Sequence, residues 1–490
     1  MSKKLIVVGA GFGGLTAAAL LAHEGLEVTI LEKNEQVGGR AHVWKEKGFT
    51  FNMGPSWYLM PEVFDGFFAQ FGKKRGDYYS IIKLDPYYRV FFSPEEVVDI
   101  SADFTKNMAV FDRFEENGGG KLKKYLEQAA YKYDIAMKEF IYKEYHNLFD
   151  FFNKKLILEG IRLNIFNSLD KFVERYFKDN RAKKILEYTI VFLGNSPYNA
   201  PALYSIMSHV DINLGVWYPY GGMGVLVQAL RELAELLGVK ILLQQDVKKI
   251  EVKNGKVRGV LTDKENFEAD VVLVNADYAY AETRLLGKPH QSYPKKYWEK
   301  RVFAPSMYII YLGLNKKLDK LAHHNLYFAE NWDEHFADIF DKPAWPEHPS
   351  YYVSCPSRTD NTVAPPGCEN ISILVPIAHG LEDNDNARER YFDEIMGYFE
   401  GFLKEGLRDA ILVKRIFTQR DFRSVYHAYD GSALGIAHTL CQTAVFRPSH
   451  KSKKVKNLYY TGQYTHPGVG VPMTFISSQI VSKEIIREIL

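Results

Sequence analysis

The stretch IVVGAGFGGLTAAALLAHEGLEVTILEKNEQVGGR, residues 6–40, decides the fold. An apolar strand, Leu5–Val8, runs into a glycine-rich turn and then into a helix rich in Ala and Leu. Glycines let the backbone turn tightly and approach a pyrophosphate, and the start of the helix offers free N–H groups and a positive dipole end. The residues of this turn are Gly9, Gly11, Phe12, Gly13 and Gly14.

A second apolar strand, Glu27–Leu31, ends at Glu32, which Lys33 follows. An acid at this position can accept hydrogen bonds from a ribose hydroxyl. Strand, turn, helix, strand and acid occur here in order, so we predict a dinucleotide-binding unit rather than an ordinary surface turn.

Gly38, Gly39 and Arg40 extend this unit. Their spacing resembles that of FAD-binding oxidoreductases of the amine-oxidase type, in which small residues pass the flavin diphosphate and the arginine neutralises it. An arginine offers planar, charge-assisted donors for such a contact. The resemblance therefore implies FAD rather than NAD.

Bulk properties exclude several classes of protein. The chain has 490 residues, enough for at least two domains, and a formal net charge of +2, which gives no electrostatic footprint for nucleic acid. The three cysteines lack metal-ligand spacing and indicate a reducing, cytoplasmic location. No apolar run reaches the roughly 18 residues of a spanning helix, and we expect MSKKLIVVGAG to be the first strand rather than a signal peptide.

Residues 146–178 alternate large apolar side chains with Lys and Arg. This pattern suits an amphipathic helical region at a lipid surface, and it suits a buried helical subdomain with a solvated basic face equally well. The sequence alone leaves both interpretations open.

Later segments return to the first domain. A strand pattern surrounds Asn254-Gly255, an apolar strand Val271–Val274 leads into Asn275, Ala276 and Asp277, and a final strand precedes a glycine-rich loop and a closing helix. We therefore predict an α/β protein with a discontinuous Rossmann-like domain, a helical and membrane-associated subdomain, and a substrate domain with a β-sheet, whose strands include SMYIIYLGLN and NISILVPIAH. The predicted ranges are 1–83, 204–288 and 455–490 for the first, 84–203 for the second and 289–454 for the third.

The whole chain resembles the bacterial-type carotenoid desaturases, the phytoene dehydrogenase family. The resemblance depends on GFTFNMGPSWY, on FLGNSPYNAPALYSIMSHVDINLGVWYPYGGMGVLVQAL, on LDKLAHHNLYF, on DFRSVYHAYDGSALG and most specifically on GQYTHPGVGVPMTFISSQIVSKEI. It implies noncovalent FAD, an amine-oxidase-like fold, peripheral membrane binding, and the insertion of double bonds into a long isoprenoid chain such as phytoene.

The resemblance also implies further cofactor contacts. Gln463 stands where related flavoproteins have an acid that binds the ribityl chain, and an amide can still bond a hydroxyl. The closing helix would direct its dipole at the flavin. The residues implied are Gly54, Pro55, Ser56, Gly222, Val247, Gly462, Gln463, Val471, Met473 and Thr474.

Desaturation needs a flavin to take two electrons, and the protein supplies position, dryness and a base for the departing proton. The candidate bases are His209, Asp211, His427 and Asp430, each of which could equally be a structural residue. The adjacent His323 and His324 point apart, so we expect no metal site. An amine oxidase and a redox-neutral carotenoid isomerase remain as alternatives, and the expected electron acceptor is a quinone or oxygen.

Overall fold

A computed structural model describes residues 2–144 and 167–490. The strands are β1 Lys4–Val8, β2 Glu27–Leu31, β3 Val43–Glu46, β4 Phe49–Asn52, β5 Ile81–Lys83, β6 Tyr88–Phe91, β7 Val97–Ile100, β8 Trp217–Pro219, β9 Lys240–Leu242, β10 Val247–Lys253, β11 Lys256–Thr262, β12 Asn266–Glu268, β13 Val271–Val274, β14 Ser306–Leu314, β15 His324–Tyr327, β16 Tyr351–Ser354, β17 Glu369–Ile377, β18 Ile411–Phe417 and β19 Leu458–Tyr460. The α-helices are α1 Phe12–His23, α2 Pro61–Ala69, α3 Phe104–Phe114, α4 Gly118–Ala136, α5 Leu169–Val173, α6 Asn180–Glu187, α7 Ile206–Ser208, α8 Gly224–Leu236, α9 Tyr278–Tyr280, α10 Lys295–Trp298, α11 Trp332–Phe340, α12 Asp385–Leu403, α13 Gln419–Tyr426 and α14 Val471–Ile489.

A five-stranded parallel sheet, in the order β19-β13-β1-β2-β9, organises the first part of the molecule. Leu5 and Val7 pack with α1, α8 and α14, whereas Ile6 and Val8 pack with the β10-β11-β12 sheet. Both faces are covered, which explains why the strand sequences are apolar without alternation. The strands come from residues 4–31, 240–274 and 458–460, so separated parts of the chain share one sheet.

The hairpin predicted at Asn254-Gly255 is present between β10 and β11. Both turn residues have positive φ, 53° and 70°, as a tight two-residue hairpin turn requires. The exact domain boundaries remain a prediction.

A seven-stranded sheet, in the order β18-β14-β17-β16-β15-β6-β7, forms the second part. The two apolar runs predicted as strands are β14 and β17, which pair antiparallel over nine residues each. The start of the range 84–203 departs from the helical prediction, because residues 88–91 and 97–100 form β6 and β7. β6 pairs with β15, and this long-range pairing outweighs the helical pattern that follows it in sequence.

The helical region includes α3, α4, α5 and α6. Part of the segment 146–178 lies outside the described residues. In the described remainder, Leu169, Phe172, Val173 and Phe177 are buried against α3, α4 and α6, which supports the buried-subdomain interpretation for these positions. Within residues 2–144 and 167–490, no helix is long and apolar enough to span a membrane.

Candidate functional site

The turn from β1 into α1 has the shape of an anion site. Gly9 has φ +99°, and a Cβ on Gly14 would lie 2.0 Å from the carbonyl oxygen of Gly9. A Cβ on Gly13 would lie 2.5 Å from the amide nitrogen of Asn275. α1 has no acidic residue in its first turn and no side-chain cap at Gly11, so its first N–H groups are open to a ligand.

The second glycine pair runs directly past this turn. Gly38 donates its N–H to Ala10 O at 2.8 Å, and a Cβ on Gly39 would lie 3.3 Å from Gly11 Cα. Arg40 follows, with its Cζ 5.5 Å from the centre of the Tyr426 ring. Its Nε and Nη2 are buried and have no hydrogen-bond partner in the described chain, which is costly for a cation unless an anion binds there.

Glu32 lies at one end of the site. Its carboxylate accepts from the Ala10 N–H at 2.8 Å and from the backbone and side chain of Asn34 at 2.9 Å each. Burial raises the pKa of Glu32 above its ordinary value, although these hydrogen bonds act to lower it. Burial lowers the pKa of Lys33, which donates to Ser424 O at 2.5 Å. Val247 lines the same end of the site.

The chain after β13 and the chain after β19 meet beside the glycine turn. Asn275 donates to Thr461 O at 3.2 Å, and a Cβ on Gly462 would lie 3.0 Å from its amide nitrogen. Asp277 accepts from the Tyr280 N–H at 3.0 Å and the Tyr464 hydroxyl at 2.7 Å, and burial raises its pKa.

The closing helix, α14, begins at Val471, two residues before the Met473 predicted as its start. Gly470 precedes it with φ +120°, and no acidic residue lies in its first turn. The positive end of the α14 dipole therefore faces the same space as Gly462 and Gln463.

These groups border a single cavity of about 860 Å³. The predicted cofactor residues on its wall are Gly9, Gly11, Phe12, Gly13, Glu32, Lys33, Gly39, Arg40, Gly54, Pro55, Ser56, Val247, Asn275, Ala276, Asp277, Gly462, Gln463, Val471, Met473 and Thr474. Gly14 is not on this wall, but it packs against Gly9, which is. Gly222 is not on the described wall, because it packs against Asn52, whose side chain a Cβ would approach to 2.0 Å.

Beyond Gly54-Pro55-Ser56, the cavity continues between the parallel sheet and the seven-stranded sheet. This part is lined mainly by aliphatic and aromatic side chains, among them Leu59, Phe140, Val191, Phe192, Leu203, Met207, Met307, Leu326, Phe328, Trp332, Phe336 and Leu374. Such a lining suits a long apolar ligand.

Of the four predicted bases, His427 lines the cavity and the other three do not. His427 stacks on Tyr280 at 4.1 Å and lies 3.3 Å from Asp246, at the Glu32 end of the cavity and away from the apolar part. Asp430 binds His379 and Arg423 outside the cavity. Both residues lie in the family-like segment VYHAYDGS, whose sequence does not show which of them reaches the cavity.

His209 and Asp211 are also absent from the described wall. His209 contacts Asn213 at 2.9 Å, and burial lowers its pKa. Asp211 is fully enclosed, accepts from the hydroxyls of Tyr88 at 2.8 Å and Tyr188 at 3.0 Å, and has its pKa raised by burial to about 7. Asp211 therefore holds Tyr188, which does line the cavity, and does not itself reach a ligand.

Two polar side chains on the cavity wall, those of His438 and Trp57, were not predicted from the sequence. His438 accepts from the Val469 N–H at 3.0 Å through Nε2, so its Nδ1 carries the hydrogen and donates to the Tyr204 hydroxyl at 2.6 Å. Trp57 stacks on His324 with the ring centres 4.3 Å apart, and Nδ1 of His324 forms a hydrogen bond with the Tyr352 hydroxyl at 2.6 Å. Only the pairing of distant segments assembles these contacts, and no local sequence signal predicts them.

Comparisons with known proteins agree with this geometry. The model of the family described as flavin containing amine oxidoreductase matches residues 12–486. A carotenoid 3,4-desaturase of Haloarcula japonica is 43% identical over 488 residues, covering 99% of each chain, and a zeta-carotene-forming phytoene desaturase of Myxococcus xanthus is 33% identical, covering 99% of this chain and 94% of the relative. The structure of an oxidoreductase from Methanosarcina mazei is similar with a TM-score of 0.63 at 18% identity, over 98% of this chain and 100% of that one, which shows the fold.

Proposed function

Because the chain belongs to the flavin containing amine oxidoreductase family, and within it to the carotenoid desaturases, we propose that it desaturates a long-chain carotenoid precursor in an FAD-dependent reaction. The observation that carries the proposal is the single cavity in which a dinucleotide-shaped site opens into an apolar space. The apolar lining of this space suits phytoene or a later desaturation intermediate in chemistry.

The residues present fit noncovalent FAD. The α1 turn and Gly39 leave room for a diphosphate, and Arg40 supplies two buried guanidinium nitrogens that have no hydrogen-bond partner in the described chain. Glu32 can accept from a ribose, and the start of α14 faces the opposite end of the site. We assign Asn275, Gly462 and Gln463 to the stretch between these ends.

Bound FAD would supply the two-electron acceptance that no side chain provides. The chain itself binds and aligns the substrate along the apolar wall, holds Tyr188 in place through Asp211, and excludes water. His438 does not serve as a free base, because both of its ring nitrogens are engaged. We propose a quinone or oxygen as the final acceptor.

The cavity reaches the surface beside Leu440 and Phe446, which line it and are 40% and 49% exposed. Exposed apolar groups at the opening suit direct uptake of a water-insoluble substrate from a bilayer. We propose that the protein binds the cytoplasmic membrane surface peripherally at this opening.

Pigment analysis tests the function. The protein should be expressed in cells that make a C30 or a C40 carotene precursor, with Arg40→Ala as the impaired control. We expect a product that has lost pairs of hydrogen atoms by mass spectrometry and absorbs at longer wavelength.

An unchanged mass with altered cis/trans geometry would instead identify an isomerase. Unchanged pigment, together with hydrogen peroxide formed from amines, would identify an amine oxidase. The full-length identity to carotenoid desaturases favours the first outcome over both.

A further inference from the structure

Arg447 is a buried cation beneath the loop that leads into α14. It is 5% exposed, and its guanidinium donates to three backbone carbonyls. The acceptors are Gln442 O at 3.0 Å, Gln463 O at 2.5 Å and Tyr464 O at 3.2 Å. Two of the three lie in the loop that carries Gly462 along the cavity wall, so Arg447 fixes that loop.

No carboxylate pairs with Arg447 in the described parts of the chain, 2–144 and 167–490. The nearby histidines are neutral. Burial, and then the charge of Arg447, lower the pKa of His438. Burial also lowers the pKa of His466, to about 3, and the charge of Arg447 lowers it to a smaller extent. Burial raises the pKa values of Tyr204, Tyr297 and Tyr464.

Asp277 lies beyond Tyr464, whose hydroxyl it accepts, and burial raises its pKa. Burial lowers the pKa of Arg447 only to about 10, so it remains charged near neutral pH. A buried cation without a carboxylate partner adds positive potential to its surroundings, and nearby negative charge on a bound group would be stabilised by it.

The start of α14 adds a second, independent source of positive potential at the same wall. Its first turn contains no acidic residue, and Gly462, Gln463, Val471 and Met473 all border the cavity there. Gln463 is neutral at a position where the resemblance to related flavoproteins would place an acid. Both sources therefore act on the same stretch of the cavity wall.

We propose that Arg447 raises the reduction potential of the bound flavin by stabilising the negative charge that the ring system gains on reduction. This inference rests on the proposed function, since it requires the flavin to lie along the Gly462 loop. Arg447 is not on the described cavity wall, so it acts through its field and through the loop it positions. Burial makes that field stronger than a surface charge would exert.

The test is an anaerobic redox titration of the purified holoenzyme against a reference dye. In Arg447→Gln, we expect the ratio of reduced to oxidised flavin at a fixed dye potential to fall by about tenfold or more. A tenfold fall corresponds to a reduction potential lower by about 30 mV for a two-electron couple. Arg447→Lys should retain most of the parent ratio because it keeps the charge. Arg408→Gln is the matched control, since it removes one exposed positive charge that pairs with Asp393 on the surface.

Gln463→Glu gives a second measurement in which Arg447 stays in place, and it covers the case in which Arg447→Gln fails to fold. The new carboxylate would neutralise the field of Arg447 and should lower the reduced fraction by a similar factor. An unchanged ratio in Gln463→Glu, or an equal fall in Arg447→Gln and Arg447→Lys, would overturn the electrostatic role. Absence of flavin from the parent protein would instead overturn the proposed function, so the two failures are distinguishable.

Discussion

Arg40→Ala should weaken FAD binding without destabilising the protein that lacks FAD. Two guanidinium nitrogens of Arg40 are buried and unpartnered in the described chain, so an anion that binds there gains at least one charge-assisted hydrogen bond. Loss of one such bond costs about 1.5–3 kcal/mol, which corresponds to an increase in Kd of about 10- to 100-fold.

The FAD-free protein should respond differently. Leaving buried guanidinium nitrogens of Arg40 without hydrogen-bond partners costs about 1–3 kcal/mol, which Arg40→Ala removes, whereas the lost contact with the Tyr426 ring costs only about 0.5–1 kcal/mol. We therefore expect the Tm of the FAD-free variant to equal or exceed that of the FAD-free parent, while the Tm with FAD falls.

The assay is flavin fluorescence during titration of FAD-free protein, combined with thermal unfolding with and without FAD. Arg40→Lys is the control, because it keeps the charge but not the planar donors, and it should fall between the parent and Arg40→Ala. Equal Kd values for parent and Arg40→Ala would refute the assignment of this residue to the diphosphate.

Three further predictions address other parts of the molecule. Gly14→Ala should abolish FAD retention, because its Cβ would lie 2.0 Å from a backbone oxygen. Gly66→Ala, whose Cβ would have no neighbour within 4 Å, should retain FAD, and flavin content after gel filtration measures the difference. The folded pKa of Asp211 is about 7, above about 4 for an unfolded Asp, so its contribution to stability is complete below about pH 4 and is lost as the pH rises from 4 through 7. Asp211→Asn should therefore match the parent in unfolding free energy at pH 4 and exceed it at pH 8, and a parallel pH profile would contradict this. In liposome flotation, the parent protein should float with the vesicles, and more of it should do so with anionic lipid. Changing both Leu440 and Phe446 to Ser should lower the floated fraction about tenfold, and a floated fraction equal to that of the parent would place the membrane contact elsewhere.

Local sequence patterns were sufficient where local chemistry decides the structure. The glycine turn before α1, the hairpin at Asn254-Gly255 and the apolar strand β14 follow from backbone freedom and from burial on both faces. The spacing of Gly38, Gly39 and Arg40 also indicated Arg40, and the apolar strand before Asn275 indicated Asn275; the structure brings both residues to one cavity.

Roles that depend on long-range packing were not predictable in this way. β6 is a strand because β15 lies beside it, although more than 200 residues separate the two in sequence. Asp211 and Asp430 have the chemistry of a base, but only the fold shows that one is enclosed by two tyrosine hydroxyls and the other binds His379 outside the cavity. Arg447 carries no motif, and its position beneath the Gly462 loop appears only in the folded chain.

The most direct test of the central claim is anaerobic mixing of the flavin-loaded protein with carotene precursors in liposomes. We expect a C30 or C40 precursor to bleach the oxidised flavin absorbance without any nicotinamide, with formation of the desaturated product. A quinone added afterwards should restore the absorbance. If the flavin stays oxidised with every precursor while the carotene changes only its cis/trans geometry, the desaturase account is contradicted and the protein is an isomerase.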